Sequence, residues 1–413
     1  MKIIFLTNFF PSASVGGYDQ LCQEVGIALR DRGHEAVVLT SNYKSNQLPT
    51  LDPEWVHRKF HLEMDFVSSR NALDFFTKRK DRETENLSTL RSAINGFSPD
   101  VILVWGMWNL QRSLPSLAEN LVPGRVIYYL CDFWPGLPPQ FENYWNAPPR
   151  NLLNGLMKNI LKRFALHILH QENRPNLEFE TVRCCSEYVC KTLVDAGELP
   201  SHAGVIYNGI DPVPFLNASI HRASDRINLP IKLLYFGRLN HDKGVHTAIQ
   251  AMGLLKEQGL ANKLEFTILG SGDQDYEARL RQMVKDLGLS EEIKFLPHVK
   301  RDDIPGLLSK FDVFLFTSIG PEAMARSVME AMASGLLVIG TEIGGQVEML
   351  VHGENSLTFK PGDFKGLADH ISRILHDLQL REMLARSGQS MVLERFTLDR
   401  MVDELETLLL KLC

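Results

Sequence analysis

The chain has 413 residues, 44% hydrophobic and 23% charged, enough to bury a substantial core, and the size favours two domains. Its net charge of −6 provides no overall attraction for nucleic acid. The six cysteines show no paired CxxC spacing, which argues against a zinc site or a disulfide scaffold and for reduced thiols in a cytoplasmic protein.

The first strand is expected over Lys2–Thr7, a continuously apolar run that suits a parallel strand covered on both faces. A Pro/Ser/Gly turn leads to Gly16 and Gly17, and from Tyr18 to Arg30 the positions Leu21, Val25, Ala28 and Leu29 carry helical spacing. Gly33 stops that helix before a strand at Glu35–Thr40, which completes one βαβ unit. Buried strands are then expected at Asp100–Val104, Arg125–Leu130 and Thr181–Cys185, while the polar section from about Leu48 to Ser88 reads as insertions. The stretch from Asn208 to Pro230 is rich in turn formers and reads as a boundary. Beyond it the alternation restarts: strand Ile231–Phe236, helix Gly244–Glu257, strand Leu264–Leu269, helix Tyr276–Leu287, and strands Ile293–Phe295, Val313–Phe316 and Leu337–Gly340. The fold class is therefore α/β, with two Rossmann-like, doubly wound parallel sheets. No run of about 18 or more uncharged apolar residues suggests a membrane span.

Three constellations can carry chemistry. Gly16 and Gly17 sit at a strand-to-helix turn, where backbone N–H groups can meet a phosphate or a sugar hydroxyl; the same pair equally serves a tight turn. Arg238 and Lys243, five residues apart after the first strand of the second half, can converge on a diphosphate. The segment Pro321–Gly335 places Glu322 before a helix and Glu330 inside it. Small residues at Ala323 and Ala325 let the backbone N–H groups of Met324, Ala325, Arg326 and Ser327 approach a phosphate. Glu330 lies in the apolar run Val-Met-Glu-Ala-Met-Ala, so a ligand or a cation should answer its charge. Asp302 and Asp303 are adjacent but lie in a solvated basic stretch, and no metal site is read from them.

Together with Asn208-Gly209-Ile210-Asp211, Leu269-Gly270-Ser-Gly272 and Gly344-Gly345-x2-Glu348, these motifs stand in an order that resembles retaining glycosyltransferases of glycosyltransferase family 4. The resemblance implies a GT-B fold with an acceptor-side domain at 1–208, a nucleotide-sugar donor domain at 209–395 and a terminal helix at 396–413 packing back on the first. It implies that Arg238 and Lys243 hold the diphosphate, that Glu322 binds donor-sugar hydroxyls and Glu330 the ribose, and that Gly17 meets a phosphate or sugar. Gly16, Gly270, Met324, Ala325 and Arg326 complete the donor site, with Val299 beside the base. Tyr18, Cys131 and Trp134 fall on the acceptor side, as do the insertions of 48–88.

Two positions depart from the family pattern. Cys131 stands where a His is common, which puts that residue's role in doubt and leaves Asp132 as a candidate base. Ala325 stands where a Gly is common and is tolerable only at negative φ.

The implied partners are a nucleotide-sugar donor, favouring UDP, and a sugar, lipid-linked or small-molecule acceptor, with no cofactor, metal or nucleic acid. A UDP-hexose is the donor prior. A nucleotide-sugar epimerase and a non-catalytic sugar-nucleotide-binding protein are the competing readings. The helix expected at Leu152–His170 carries Lys158, Lys162 and Arg163 beside an apolar stripe, which reads either as core or as a face for an anionic membrane surface.

Overall fold

A computed structural model describes residues 1–11, 13, 16–47, 52–66, 70–148, 152–219, 230–297 and 299–412, the side chains of 152–157 excepted. The chain divides into two compact units: unit 1 holds Met1–Cys185, Val189–Ile206 and the stretch from Val402 onward, and unit 2 holds Ser186–Tyr188 and Tyr207–Met401.

Unit 1 is built on seven parallel strands: β1 Lys2–Leu6, β2 Glu35–Ser41, β3 Val56–Phe60, β4 Val101–Val104, β5 Val126–Leu130, β6 Thr181–Cys184 and β7 Gly204–Val205. Their order is β3-β2-β1-β4-β5-β6-β7. The helices are α1 Gly17–Asp31, α2 Asn71–Thr77, α3 Arg79–Phe97, α4 Ser113–Leu121, α5 Gln140–Asn146, α6 Leu152–Gln171 and α7 Glu187–Asp195. β4, β5 and β1 after Lys2 are runs of apolar and aromatic residues and are wholly buried, as helix-covered parallel strands must be. α1 ends where Gly33 takes φ +87°, a conformation that costs a glycine nothing.

The section from Leu48 to Ser88 is more than insertion, because it supplies edge strand β3, helix α2 and the start of α3. β3 reads VHRKF and buries only its ends, Val56 and Phe60, so its sequence lacks the apolar run of a central strand. α3 is polar along most of its length and buries chiefly Leu90, Ile94, Asn86 and Arg79, too thin a stripe to announce a helix.

Unit 2 contains α8 Val213–Ser219, then β8 Ile231–Phe236, α9 Val245–Glu257, β9 Leu264–Leu269, α10 Gln274–Asp286, β10 Ile293–Leu296, α11 Ile304–Leu308 and β11 Val313–Phe316. It continues with α12 Arg326–Ala333, β12 Leu337–Thr341, β13 Leu357–Phe359, α13 Phe364–His376, α14 Leu378–Arg395 and α15 Leu398–Leu410, the last running on into unit 1. The strand order is β10-β9-β8-β11-β12-β13, all parallel. Its core joins β8, β9 and β11 residues such as Leu233, Phe266 and Leu315 to α9 and α13. Side chains cap three helices: Asp273 accepts the N–H of Tyr276 at 2.7 Å, Asp363 that of Gly366 at 3.0 Å and Asp377 that of Leu380 at 2.9 Å. In the stretch expected to be only a turn-rich boundary, Pro212 precedes α8 and Pro214 stands in its first turn, a place where the missing N–H costs no hydrogen bond. Residues 220–229 of that stretch lie outside the described residues.

Both sheets reverse direction at one point, between β1 and β4 in unit 1 and between β8 and β11 in unit 2. In open parallel sheets a ligand crevice forms outside the carboxyl ends of the strands at such a switch.

Candidate functional site

The switch of unit 2 gathers most of the expected donor residues. Arg238 and Lys243 lie on the segment leaving β8, Gly270 follows β9, Val299 follows β10, and Glu322, Met324 and Ala325 lie between β11 and α12. The Lys243 ammonium is ion-paired with Oε1 of Glu322, and Ser318 Oγ donates to the same oxygen at 2.6 Å. Both paired side chains are mostly buried, so this contact is less screened than a surface pair.

Backbone contacts hold the two loops together. Ile319 and Gly320 donate their N–H groups to the Asp242 carbonyl at 2.8 and 3.0 Å, and Thr317 Oγ1 donates to the Lys243 carbonyl at 2.8 Å. Arg238 is solvent-exposed, and its carbonyl accepts the Tyr235 hydroxyl at 2.7 Å, which fixes the loop and leaves the guanidinium outside. Two glycines make the approach possible. At Gly270, φ is +136° and a Cβ would lie 2.0 Å from the Gly237 carbonyl; at Gly344, φ is +57° and a Cβ would lie 2.1 Å from the Glu322 carbonyl.

α12 begins after Ala325, whose φ of −81° meets the condition set by losing a glycine there. No side chain caps this helix, so its N-terminal end presents backbone N–H groups and a partial positive charge beside Lys243 and Glu322. Met324 and Arg326 are buried and shape the junction. Glu330 is 2% exposed. Its charge is answered by cations of the protein itself: it is ion-paired with Arg301, and Arg326 Nε lies 3.8 Å away.

The unit 1 candidates follow the carboxyl ends of β1 and β5. Gly16 takes φ −71° as the cap of α1 and needs no glycine for its backbone; a Cβ there would lie 2.9 Å from Asp19 Oδ2. Asp19 thus stands in the first turn of α1, so this helix end already has a carboxylate of its own. Gly17 opens the helix and is exposed.

Two residues assigned to the acceptor side make contacts within the fold of unit 1. Tyr18 stacks on Trp105 with centroids 5.5 Å apart, and its hydroxyl lies 2.8 Å from the Trp105 carbonyl and 2.5 Å from that of Tyr129. Burial, reinforced by Cys131 and Asp132, raises its pKa well above the usual phenol value. Trp134 is 5% exposed and packs near Tyr128 and Phe179 under the Arg112 guanidinium. Cys131 is half-buried and outside any disulfide. Asp132 accepts the Trp134 N–H at 3.3 Å, and desolvation, with Asp19 adding to it, raises its pKa to about 7.

Sequence reasoning did not single out Ser318, Asp242, Asp19 or Arg301, whose parts in these clusters depend on loop closure. The nearest signal was Asp242 standing between Arg238 and Lys243.

Residues 218–391 match the family model described as Glycosyl transferases group 1, and residues 15–213 match Glycosyltransferase Family 4. The amylovoran biosynthesis glycosyltransferase AmsK of Erwinia amylovora is 30% identical over 217 residues, 50% of this chain and 51% of that protein. The chain spans about half the length of the first curated relatives it matches. Glycogen synthase of Mycobacterium tuberculosis is 29% identical over 415 residues, 96% of this chain and 91% of the relative. The crystal structure of Anabaena Alr3699/HepE in complex with UDP and glucose shares the fold, with a TM-score of 0.67 at 23% identity over 99% of each chain.

Proposed function

The chain belongs to the glycosyltransferases of group 1 and family 4, and on that premise we propose that it is a retaining hexosyltransferase. The donor is a nucleotide-sugar, UDP-sugar before others, and the acceptor is a hydroxyl group in polysaccharide or glycoconjugate synthesis. The observation that carries this reading is the cluster at the β8/β11 switch, where Lys243, Glu322 and the uncapped N-terminus of α12 meet beside the Arg238 loop. AmsK acts in amylovoran biosynthesis by its name, and HepE has been crystallised with UDP and glucose, which favours this class of product and this nucleotide.

In this reading Arg238, Lys243 and the α12 N–H groups take up the charge that develops on the leaving diphosphate, the largest contribution the protein makes to the rate. Those cations do the work that a divalent metal does elsewhere, so no metal or cofactor is needed. Glu322 accepts hydrogen bonds from the sugar hydroxyls. Glu330 supports the ribose end, with Val299 by the base and Gly270 keeping the wall open. The bond from the anomeric carbon to the phosphate oxygen breaks, the acceptor oxygen bonds the same carbon on the same face, and the acceptor proton passes to the leaving phosphate. Asp132, with its pKa raised to about 7, is the alternative base for that proton. α6 adds a membrane contact: Ile160 and Phe164, one turn apart, are each 68% exposed, while Ala165 and Leu161 face the core.

Thermal-shift titration with UDP-, GDP- and ADP-sugars tests this, because a ligand that binds only the folded state raises its apparent stability. A UDP-sugar should raise the melting temperature of the wild type, and Lys243→Ala should weaken that donor by about tenfold or more. Donor consumption that requires an acceptor separates transfer from epimerisation, and binding without turnover would mark a sugar-nucleotide-binding protein. No shift with any nucleotide-sugar would overturn the reading.

A further inference from the structure

Unit 1 contains a cavity of 480 Å³ walled by the segments that leave β3, β4 and β5 and by the ends of α3 and α6. Four side chains that line it carry buried nitrogen atoms with no hydrogen-bond partner: Arg79 Nε, Gln111 Nε2, Arg112 Nε and Trp134 Nε1. Arg79 and Trp134 are themselves only 8% and 5% exposed. Trp134 has a single polar atom, and each of the other three side chains already engages at least one further polar group. Arg79 donates twice to Glu172 at 2.6 Å, Gln111 Oε1 accepts from Asn86 at 2.9 Å, and Arg112 Nη1 donates to the Pro135 carbonyl at 2.8 Å.

All four orphaned groups are donors, and among the described residues no buried oxygen lining the cavity is in the same condition. A buried N–H without a partner costs about 1–3 kcal/mol. Four in the lining of one cavity call for a ligand that brings acceptors and no donors. Sugar hydroxyls both give and accept, whereas an oxyanion only accepts.

The charge has the same sign. Glu172 is engaged by Arg79 and by Lys80 at 3.0 Å, and Glu83 takes the Ser113 hydroxyl at 2.7 Å. Arg112 and Arg174, in contrast, have no carboxylate within 4.0 Å among the described residues, and both meet at the Pro135 carbonyl, at 2.8 and 2.9 Å. Glu142 and Glu63 also line the cavity, and burial raises the pKa of Glu63 to about 7, so that much of it is uncharged at neutral pH.

We propose that this cavity binds an oxyanion, the phosphate or carboxylate of an acidic ligand, between Arg112, Arg174, Gln111 and Trp134. The binding rests on unit 1 alone; that the acidic ligand is the acceptor of the transfer rests on the function proposed above.

Calorimetric titration of the full chain tests the site. Arg238→Ala and Lys243→Ala are both introduced, so that the proposed donor site takes no part. Inorganic pyrophosphate and glucuronate are the probes, at constant ionic strength. A binding event should persist in this background for one probe or both. Trp134→Phe should weaken it by about tenfold, the loss of one hydrogen bond to a charged acceptor, without lowering the melting temperature of the ligand-free protein. Arg174→Gln should weaken it by about tenfold or more. Tighter binding of farnesyl diphosphate than of pyrophosphate would assign the anion to a lipid-borne ligand, and equal binding would assign recognition to the anion alone. Absence of binding by both probes, or binding that neither Trp134→Phe nor Arg174→Gln changes, would overturn the proposal, whatever donor binding the unmodified chain shows.

Discussion

Asp132 shows how a residue at a strand end acquires a property its type does not have. Its neighbours withhold solvent and Asp19 adds a like charge, so its pKa rises from 3.8 to about 7. A carboxyl raised in the folded state binds its proton more tightly there than in the unfolded chain. Its contribution to stability is therefore whole below pH about 4 and is lost as the pH rises through about 7. Glu63 carries the same sign for the same reason. The melting temperature of the wild type should fall between pH 5 and pH 8 by more than that of Asp132→Asn, with Glu63→Gln removing a separate part of the fall. Parallel curves for wild type and Asp132→Asn would show that the carboxyl is not perturbed. Glu330 shows what was legible and what was not. A glutamate inside an apolar helical run announces a partner, but the partner is Arg301, which chain folding alone brings to it.

Among the elements, the loops after β8 and β9 touch backbone to backbone at Gly270. Gly270→Ala would place a Cβ 2.0 Å from the Gly237 carbonyl at a positive φ. It should cost about 3 kcal/mol of stability, read as a lower denaturation midpoint, because backbone strain and steric overlap act together there. α6 divides the stripe that the sequence left open between core and membrane. Leu161, Ala165 and Leu169 join the packing around Phe141 and Trp145, while Ile160 and Phe164 face outward beside the exposed Arg163. Leu153 and Leu156 of the same stripe lie outside the described side chains. On the proposed membrane contact, sedimentation with phosphatidylglycerol vesicles should capture the wild type more than phosphatidylcholine vesicles do. Phe164→Glu should reduce that capture by about tenfold, since it replaces an exposed apolar ring with a charge repelled by the surface. Equal capture of wild type and variant would remove α6 from the contact. Periodicity made α1, α9 and the central strands legible, because their apolar faces are fully used. It missed β3 and α3, which bury little, and β13, which is too short to show a pattern.

Across the whole molecule one strand order occurs twice, with a reversal beside the first strand of each sheet. The parallel α/β class was legible because buried strands alternate with amphipathic helices in both halves of the sequence. The donor-side candidates were legible for a related reason: Arg238, Lys243, Gly270 and Glu322 sit on the segments that follow strands, where the order of the sheet brings distant segments together. The orphaned N–H groups of unit 1 were not legible, because they are defined by what fails to meet them in space.

The Lys243–Glu322 pair means that the crevice at the β8/β11 switch arrives with its own counter-ions in place. On the proposed reading, binding is an exchange of partners and not the filling of a vacancy. A nucleotide-sugar can engage both halves at once, with its diphosphate on Lys243 and its hydroxyls on Glu322. The spent nucleoside diphosphate can engage only the lysine and must strand a mostly buried carboxylate to do so. On that reading the pair favours the intact donor over the spent nucleotide and re-forms after release, a built-in bias against product inhibition.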